Sequence, residues 1–234
     1  IITRNTVVYN VVGILLSTFC TVSLAIILSQ MANKRLLKKM QTFMIFPNFL
    51  SWVVISYFVY AFLSTDKGLI NILLSNFGVE PINWYSEPKY WPFIIVFTSL
   101  WKGVGYGSII YYASIMGIDT SYYEAALVDG ASKWQQIRNV VLPHLRSIIV
   151  IMLILSVGSI FRADFGLFYQ LPRNSGALYD VTNVLDTYVY RGLMNSGDIG
   201  MSTAAGLYQS SVGFVLILIT NKIVNKLDPS SALF

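Results

Sequence analysis

The sequence predicts an all-α integral membrane protein, and three observations carry that prediction. Hydrophobic residues make up 55% of the chain and charged residues only 12%, about half of the roughly 25% charged share of a soluble domain. Mean hydropathy is +0.62, which places the chain in the membrane class. The apolar residues also fall into five runs, over 7–30, 40–63, 90–115, 147–169 and 203–223, each near the about 20 residues that a helix needs to cross hydrocarbon.

Four connections separate the runs. ANKRLLKK follows the first and STDKGLINILLSNFGVEPINWYSEP the second. A region of mixed polarity, 116–146, follows the third, and QLPRNSGALYDVTNVLDTYVYRGLMNSGDIGM the fourth. Lys34, Arg35, Lys38 and Lys39 crowd the first connection, Lys133, Arg138 and Arg146 the third, and Lys222 and Lys226 follow the last run. Cytoplasmic loops carry the Lys and Arg excess, so these segments are expected in the cytoplasm. The second and fourth connections, where Lys67, Lys89, Arg173 and Arg191 are diluted by Asp66, Glu80, Glu87, Asp180, Asp186 and Asp198, are expected outside. An external start with five spans, in a chain that opens at Ile1 rather than Met, leads to the expectation of a further span upstream. Trp84, Tyr85, Tyr90 and Trp91 fit an outer aromatic belt or a loop closed against the membrane surface. The net charge of +5 comes from basic residues that punctuate the apolar runs, so membrane topology accounts for it and nucleic-acid binding does not. Cys20 is the single cysteine, which excludes an intrachain disulfide and a cysteine metal site.

The third connection is built differently from a simple loop. In ASIMGIDTSYYEAALVDGASKWQQIRNVVLPHL, Ser121 with Glu124 and Ser132 with Gln135 have the spacing of capping boxes, in which a hydroxyl and a carboxyl or amide satisfy helix-start amides reciprocally. Gly130 suits the left-handed turn that ends a helix. Pro143 is tolerated at a helix start and breaks a helix interior. The expectation is helix, tight turn, helix, then entry into the next span. The small residues Ala125, Ala126 and Ala131, flanked by Glu124, Asp129 and Lys133, let another surface approach closely.

Glu124-Ala125-Ala126, three residues, Gly130, nine residues, Val140, one residue and Leu142-Pro143 resemble the EAA motif of the inner-membrane permeases of type I ABC importers. Only Val140, where the family favours isoleucine, departs from it. RNTVVYN, FPNFLSWVV, GLINILL, GYGSIIYYASIMGID and DTYVYRGL extend the resemblance over nearly the whole chain, to the LplB-like carbohydrate branch. The resemblance implies a MetI-like transmembrane domain over 1–226, with coupling helices at about 119–145 and a cytoplasmic tail at 227–234. It implies that Glu124, Ala125, Ala126, Asp129, Gly130, Leu142 and Pro143 couple the chain to a cytoplasmic ATPase. The implied partners are a second, homologous permease in a heterodimer, two ATPase subunits, an extracellular solute-binding protein, a carbohydrate substrate and the lipid bilayer of a bacterial cell membrane. The external loop around VTNVLDTYVYRGL has the spacing of a short amphipathic helix, either lying on the membrane or receiving the binding protein, and the resemblance favours the latter.

The chain lacks a Gly-Lys dipeptide and therefore a phosphate-cradling loop. No catalytic residues, cofactor or metal ligands are expected in it, and ATP and Mg²⁺ are expected in partner subunits. Lys102, Arg162 and Asp164 are ionisable groups at membrane depth or near it, which mark a pathway or a pair. Arg162 and Asp164 either fix the bundle as an ion pair or contact substrate. Phe165, Phe168 and Tyr169 offer flat faces for sugar rings, and Tyr57, Tyr60, Tyr106, Tyr111 and Tyr112 add hydroxyl-bearing aromatics. A sugar site wants that mixture, although span tyrosines also serve as packing or belt residues. Gly103, Gly105 and Gly107 allow close helix approach. Other function classes make other demands. A permease for another nutrient would fit the motif but not the LplB-like segments. An ion-coupled secondary transporter predicts inverted repeats and ionisable relays, and a non-transporting scaffold needs no docking knob.

Overall fold

The computed structural model describes residues 1–197, 199–227 and 229, and of Asn195, Ser196 and Leu227 it describes the backbone alone. The expected external residue Asp198 and nearly all of the expected tail, 227–234, lie outside the described residues. Regular structure among the described residues is entirely helical. In chain order the helices are α1 (Ile2–Ser29), α2 (Lys34–Ile45), α3 (Trp52–Leu63), α4 (Leu69–Asn76), α5 (Trp91–Met116), α6 (Thr120–Val128), α7 (Lys133–Gln136), α8 (Leu142–Gly158), α9 (Phe165–Gln170), α10 (Tyr179–Thr182), α11 (Leu185–Ser196) and α12 (Ile199–Leu227). Four helical stretches are long and apolar enough to cross a membrane: Ile2–Ser29, Pro88–Met116, Lys133–Gly158 and Ile199–Lys226. A fifth is obtained if the pair Lys34–Phe49 and Trp52–Leu63 is counted as one broken span.

That break falls inside the run expected as the second span, 40–63. ANKRLLKK is not a loop. Asn33 accepts hydrogen bonds from the backbone N–H of Arg35 and Leu36 at 3.0 and 3.1 Å, and the basic residues form the first turns of α2. The helix then tightens into a 3₁₀ turn over Phe46–Phe49 around the buried Pro47. Ser51, in extended conformation, caps α3 by accepting from the Val54 N–H at 3.3 Å. Proline has no N–H and crowds the preceding turn, so the apolar run is divided where Pro47 stands. The carbonyl of Asn48, freed at this turn, accepts from Lys102 Nζ at 2.7 Å. The charge of Lys102 in α5 is therefore engaged in holding the break.

Contacts divide the chain into two compact units, one of residues Ile1–Gly13, Phe49–Ser99 and Ser159–Gly213, the other of Ile14–Asn48, Leu100–Gly158 and Phe214–Phe234. The first unit has a core of Ile55, Trp91, Ile95, Leu167, Phe168, Leu171, Leu178 and Val184. Trp91 is completely buried and its indole N–H donates to the Trp84 carbonyl at 2.7 Å. It is a core residue and not part of a lipid-facing belt, a correction to the aromatic-belt expectation. Asn71, also buried, ties the segments on both sides of α4: its amide donates to the carbonyls of Thr65 and Ile82 at 3.1 and 2.9 Å. Its carbonyl oxygen accepts from Ile82 N–H and Trp84 Nε1 at 3.1 and 3.0 Å.

The second unit packs Val22 and Ala25 of α1 with Tyr111, Ile115 and Ile118 and with Val140, Val141 and Leu145. Glycine permits close approach here. A Cβ on Gly105 would collide with the Met44 backbone and one on Gly107 would meet Thr21, whereas Gly103 faces open space.

Candidate functional site

The motif region of the second unit is a protruding pair of helices whose geometry is set by local bonds. α6 is capped by Asp119, whose carboxylate accepts from the Ser121 N–H at 2.9 Å, and that bond holds its pKa below the usual carboxylate value. The expected Ser121–Glu124 capping box is thus not formed, because Asp119, two residues earlier, reaches the orphan amides first. Glu124 is left exposed with no hydrogen bond or ion pair among the described residues. At the other end Gly130 adopts φ +74, Ala131 N–H donates to Ala126 O at 2.8 Å and Gly130 N–H to Leu127 O at 3.0 Å. These two bonds are the Schellman pattern, and the positive φ is why glycine is wanted there. The Ser132–Gln135 capping box is formed in both directions, at 3.4 and 2.7 Å.

Pro143 does not start a new helix, contrary to expectation. α7 runs through a π-helical stretch, Ile137–Val141, directly into α8. The wider π turn lies just before the proline, where the ring would crowd the carbonyl four residues back. His144 Nδ1 lies 2.8 Å from the Val140 carbonyl and so binds inside its own helix. Beside the exposed Glu124, Asp129 and Lys133 the knob presents apolar side chains: Val128 is 88% exposed, Trp134 68% and Leu127 59%.

The candidates for a substrate path are distributed differently. Helix α8 ends at Gly158, so the fourth span lies earlier in the chain than the expected 147–169, and Arg162 and Asp164 sit in an irregular segment before α9. Buried irregular backbone needs partners, and several segments supply them. Asn10 of α1 donates to the carbonyls of Ile160 and Arg162 at 2.9 and 3.1 Å, and Gln209 of α12 to that of Phe161 at 2.8 Å. Asp186 of α11 accepts from Ala163 N–H at 2.7 Å. Burial pushes the Asp186 carboxyl above its usual range, against the bonds from Ala163 and Gln209 and the nearby Arg162.

Of the two roles expected for Arg162 and Asp164, an ion pair or substrate contact, the ion pair is not formed. Arg162 donates to Ser210 Oγ at 3.0 Å. Asp164 caps α9 by accepting from Leu167 N–H at 3.2 Å and takes the Trp52 indole N–H at 2.8 Å, so both of its oxygens have structural partners. Phe168 is buried, edge-on to Tyr9. Tyr111 is 5% exposed within the second unit's core, and Tyr112 packs against that core, so Tyr111 offers no face to a passage. Phe165 and Tyr169 stack on each other at 4.9 Å and both meet Tyr190.

Tyr57, 61% exposed, and Tyr169 line a cavity of about 260 Å³ with Ser56, Gln170 and Arg173. A second cavity, of about 570 Å³, is lined by Tyr60, Asp66, Lys67, Asn83, Tyr85 and, again, Arg173. In the sequence Arg173 is only a loop charge; the left-handed backbone that places it, φ +53, is written in no spacing.

Residues 13–229 match the family described as binding-protein-dependent transport system inner membrane component. The chain is 32% identical over 225 residues to Protein LplB of Bacillus subtilis (strain 168), covering 96% of this chain and 70% of that one. It is 31% identical over 223 residues to the polygalacturonan/rhamnogalacturonan transport system permease protein YteP of the same organism, covering 95% and 69%. A chain in the crystal structure of a bacterial alginate ABC transporter, in complex with an alginate pentasaccharide-bound periplasmic protein, superposes with a TM-score of 0.89 at 29% identity, covering 96% of this chain and 77% of that one. A second structure, of a bacterial ABC transporter involved in the import of alginate, gives 0.91 at 29%, covering 97% and 78%. With its several apolar helices, its knob and these likenesses, the chain is a multi-pass membrane protein and belongs to the binding-protein-dependent transport system inner membrane component family.

Proposed function

We propose that the chain is the permease subunit of an ATP-driven importer of oligosaccharides or polysaccharide fragments in a bacterial cytoplasmic membrane. With a second, related permease it forms the path, and an external solute-binding protein delivers the sugar. The observation that carries this reading is the likeness to a solved alginate transporter over 96% of the chain at 29% identity. The relative YteP, whose name specifies polygalacturonan and rhamnogalacturonan, supports the same substrate class.

In this reading the chain binds no ATP and catalyses nothing; two cytoplasmic ATPase subunits hold ATP and Mg²⁺. The knob is the coupling element. Val128 and Trp134, 88% and 68% exposed, are apolar surface on a segment expected in the cytoplasm. Apolar surface of this kind is stabilised when a partner covers it. Glu124, not engaged in a cap, is free to meet a cation on that partner, with Ala125, Ala126, Asp129 and Gly130 keeping the approach close. Leu142 and Pro143 lie past the π turn, on the helix that continues as Lys133–Gly158, so a push on the knob is transmitted along a continuous rod.

Reconstitution of the chain with its second permease, ATPase subunits and binding protein in proteoliposomes tests this. ATP-dependent uptake of an oligosaccharide, with binding-protein-stimulated ATP hydrolysis, is expected. Uptake that proceeds on an ion gradient without ATP would overturn the reading.

A further inference from the structure

Arg173 lines two cavities of the first unit, and its setting is unusual. Arg173 and Asn174 are consecutive non-glycine residues with φ +53 and +49, a left-handed pair that is strained for L-residues and persists only where its surroundings over-determine it. The surroundings are specific. Asn174 Oδ1 accepts from Arg191 Nη1 at 2.8 Å and from the Tyr179 hydroxyl at 3.0 Å, while Arg173 N–H closes on Gln170 O at 3.0 Å. Asn174 is thus bolted down and Arg173 is projected.

The guanidinium lies 4.2 Å from the centre of the Tyr60 ring and 5.6 Å from that of Tyr57. Such stacking holds the plane and leaves the N–H edge for a planar anion. Among the described residues Arg173 has no carboxylate within ion-pair distance, although Asp66 lines the larger cavity, as does Lys67. An independent observation lies in the same cavity wall. The hydroxyl of Tyr85 is the buried side-chain polar atom that lacks a hydrogen-bond partner among the described residues, a costly condition that asks for a missing partner. Burial pushes that hydroxyl up to about 12, with Arg173 pulling it back.

We propose that Arg173, seated on Tyr57 and Tyr60, is a subsite for a carboxylate-bearing sugar unit, such as a uronate, and that it selects acidic over neutral glycans. The guanidinium takes the carboxylate in a two-bond fork. The exposed remainder of Tyr57 lies against the ring, and Tyr85 and Asn83 serve its hydroxyls. The inference rests on the reading that this permease carries glycans.

The test uses the whole complex in nanodiscs, without binding protein, and measures equilibrium binding of trigalacturonate and of its methyl ester. Arg173→Gln is expected to weaken binding of the acid about tenfold, in keeping with the loss of a charge-assisted pair, and to leave the ester unchanged. Arg173→Lys is expected to fall between, since it keeps the charge and loses the fork. Equal binding of the acid by wild type and Arg173→Gln, or no binding of the acid by wild type, would overturn the subsite. So would a loss in Arg173→Gln of affinity for the glycan-free binding protein, because Arg173 would then be a docking contact. Proteoliposome uptake separates the two levels. If the wild-type complex imports glycans while Arg173→Gln binds normally, the subsite alone falls. If it imports none, the glycan reading falls and the subsite with it.

Discussion

The knob at 119–145 and the junction at 159–191 are both irregular interruptions between apolar helices, yet they are held in opposite ways. Every bond named in the knob closes within five residues: Asp119 to Ser121, Ala131 to Ala126, Ser132 to Gln135, His144 to Val140. The junction is closed by residues far away in sequence. Asn5 donates to the Asp180 carbonyl across 175 residues, Thr6 accepts from Leu185 N–H across 179, Asn10 reaches Ile160 across 150, and Trp52 reaches Asp164 across 112. A locally held element keeps its shape when pushed as a unit, as a coupling element must. An element held by remote side chains takes its shape from the helices that carry those side chains, and so follows them when they move.

The largest effect that would break this comparison is at Gly130. Proline cannot adopt φ +74 and lacks the N–H that Gly130 donates to Leu127. Gly130→Pro is expected to reduce ATP-driven uptake to background in proteoliposomes while the chain still assembles with its partners. Gly130→Asn, which tolerates the left-handed region, should keep most of the activity. If Pro and Asn behave alike, the left-handed turn is not what shapes the knob.

The next effect lies in the junction. Asp186→Ala leaves Ala163 N–H without its acceptor, and Asn10→Ala leaves the carbonyls of Ile160 and Arg162 without their donor. Each is expected to cost about 1–3 kcal/mol, read as a lowered midpoint in thermal unfolding of the purified complex. The double variant should cost less than the sum, because both act on one segment. The pH dependence has a definite sign. Burial raises the Asp186 pKa above its ordinary 3.8, so the folded form holds its proton to higher pH than the unfolded chain does. The favourable contribution of this group is complete below the ordinary value and is lost as pH rises through the raised one. The wild-type midpoint should therefore fall, relative to that of Asp186→Asn, as pH rises above the ordinary carboxyl value of 3.8. A constant difference would show that the carboxyl does not titrate in the junction.

The same contrast decides what was legible in the sequence. The helix and turn of the knob are written in spacings of two to five residues, so Gly130 and the Ser132–Gln135 box are legible. Ser121 is not the cap because Asp119 offers a competing one two residues earlier. Span number was legible from apolar length. The break is written locally in Pro47, but no local pattern announces that Lys102, 54 residues away, donates to the Asn48 carbonyl there. Tyr111 and Tyr57 looked alike as span tyrosines, but one is 5% and the other 61% exposed. Periodicity places residues on a helix face without saying what covers that face. Arg173 was read only as a loop charge, since its strained conformation depends on Arg191 and Tyr179.

The smallest effect sharpens the comparison from the local side. Ser132→Ala removes one half of a box in which Ser132 Oγ accepts from Gln135 N–H and Gln135 Oε1 accepts from Ser132 N–H. Loss of such a cap costs about 1 kcal/mol. α7 nevertheless runs without interruption into the π stretch and α8, where Val141 and Leu145 are buried, so packing retains the helix after its cap is gone. A small decrease in unfolding midpoint with uptake nearly unchanged is the expected result. Uptake that falls as far as in Gly130→Pro would mean that the second knob helix relies on its cap rather than on the rod behind it, and the mechanical role of the continuous Lys133–Gly158 helix would have to be given up.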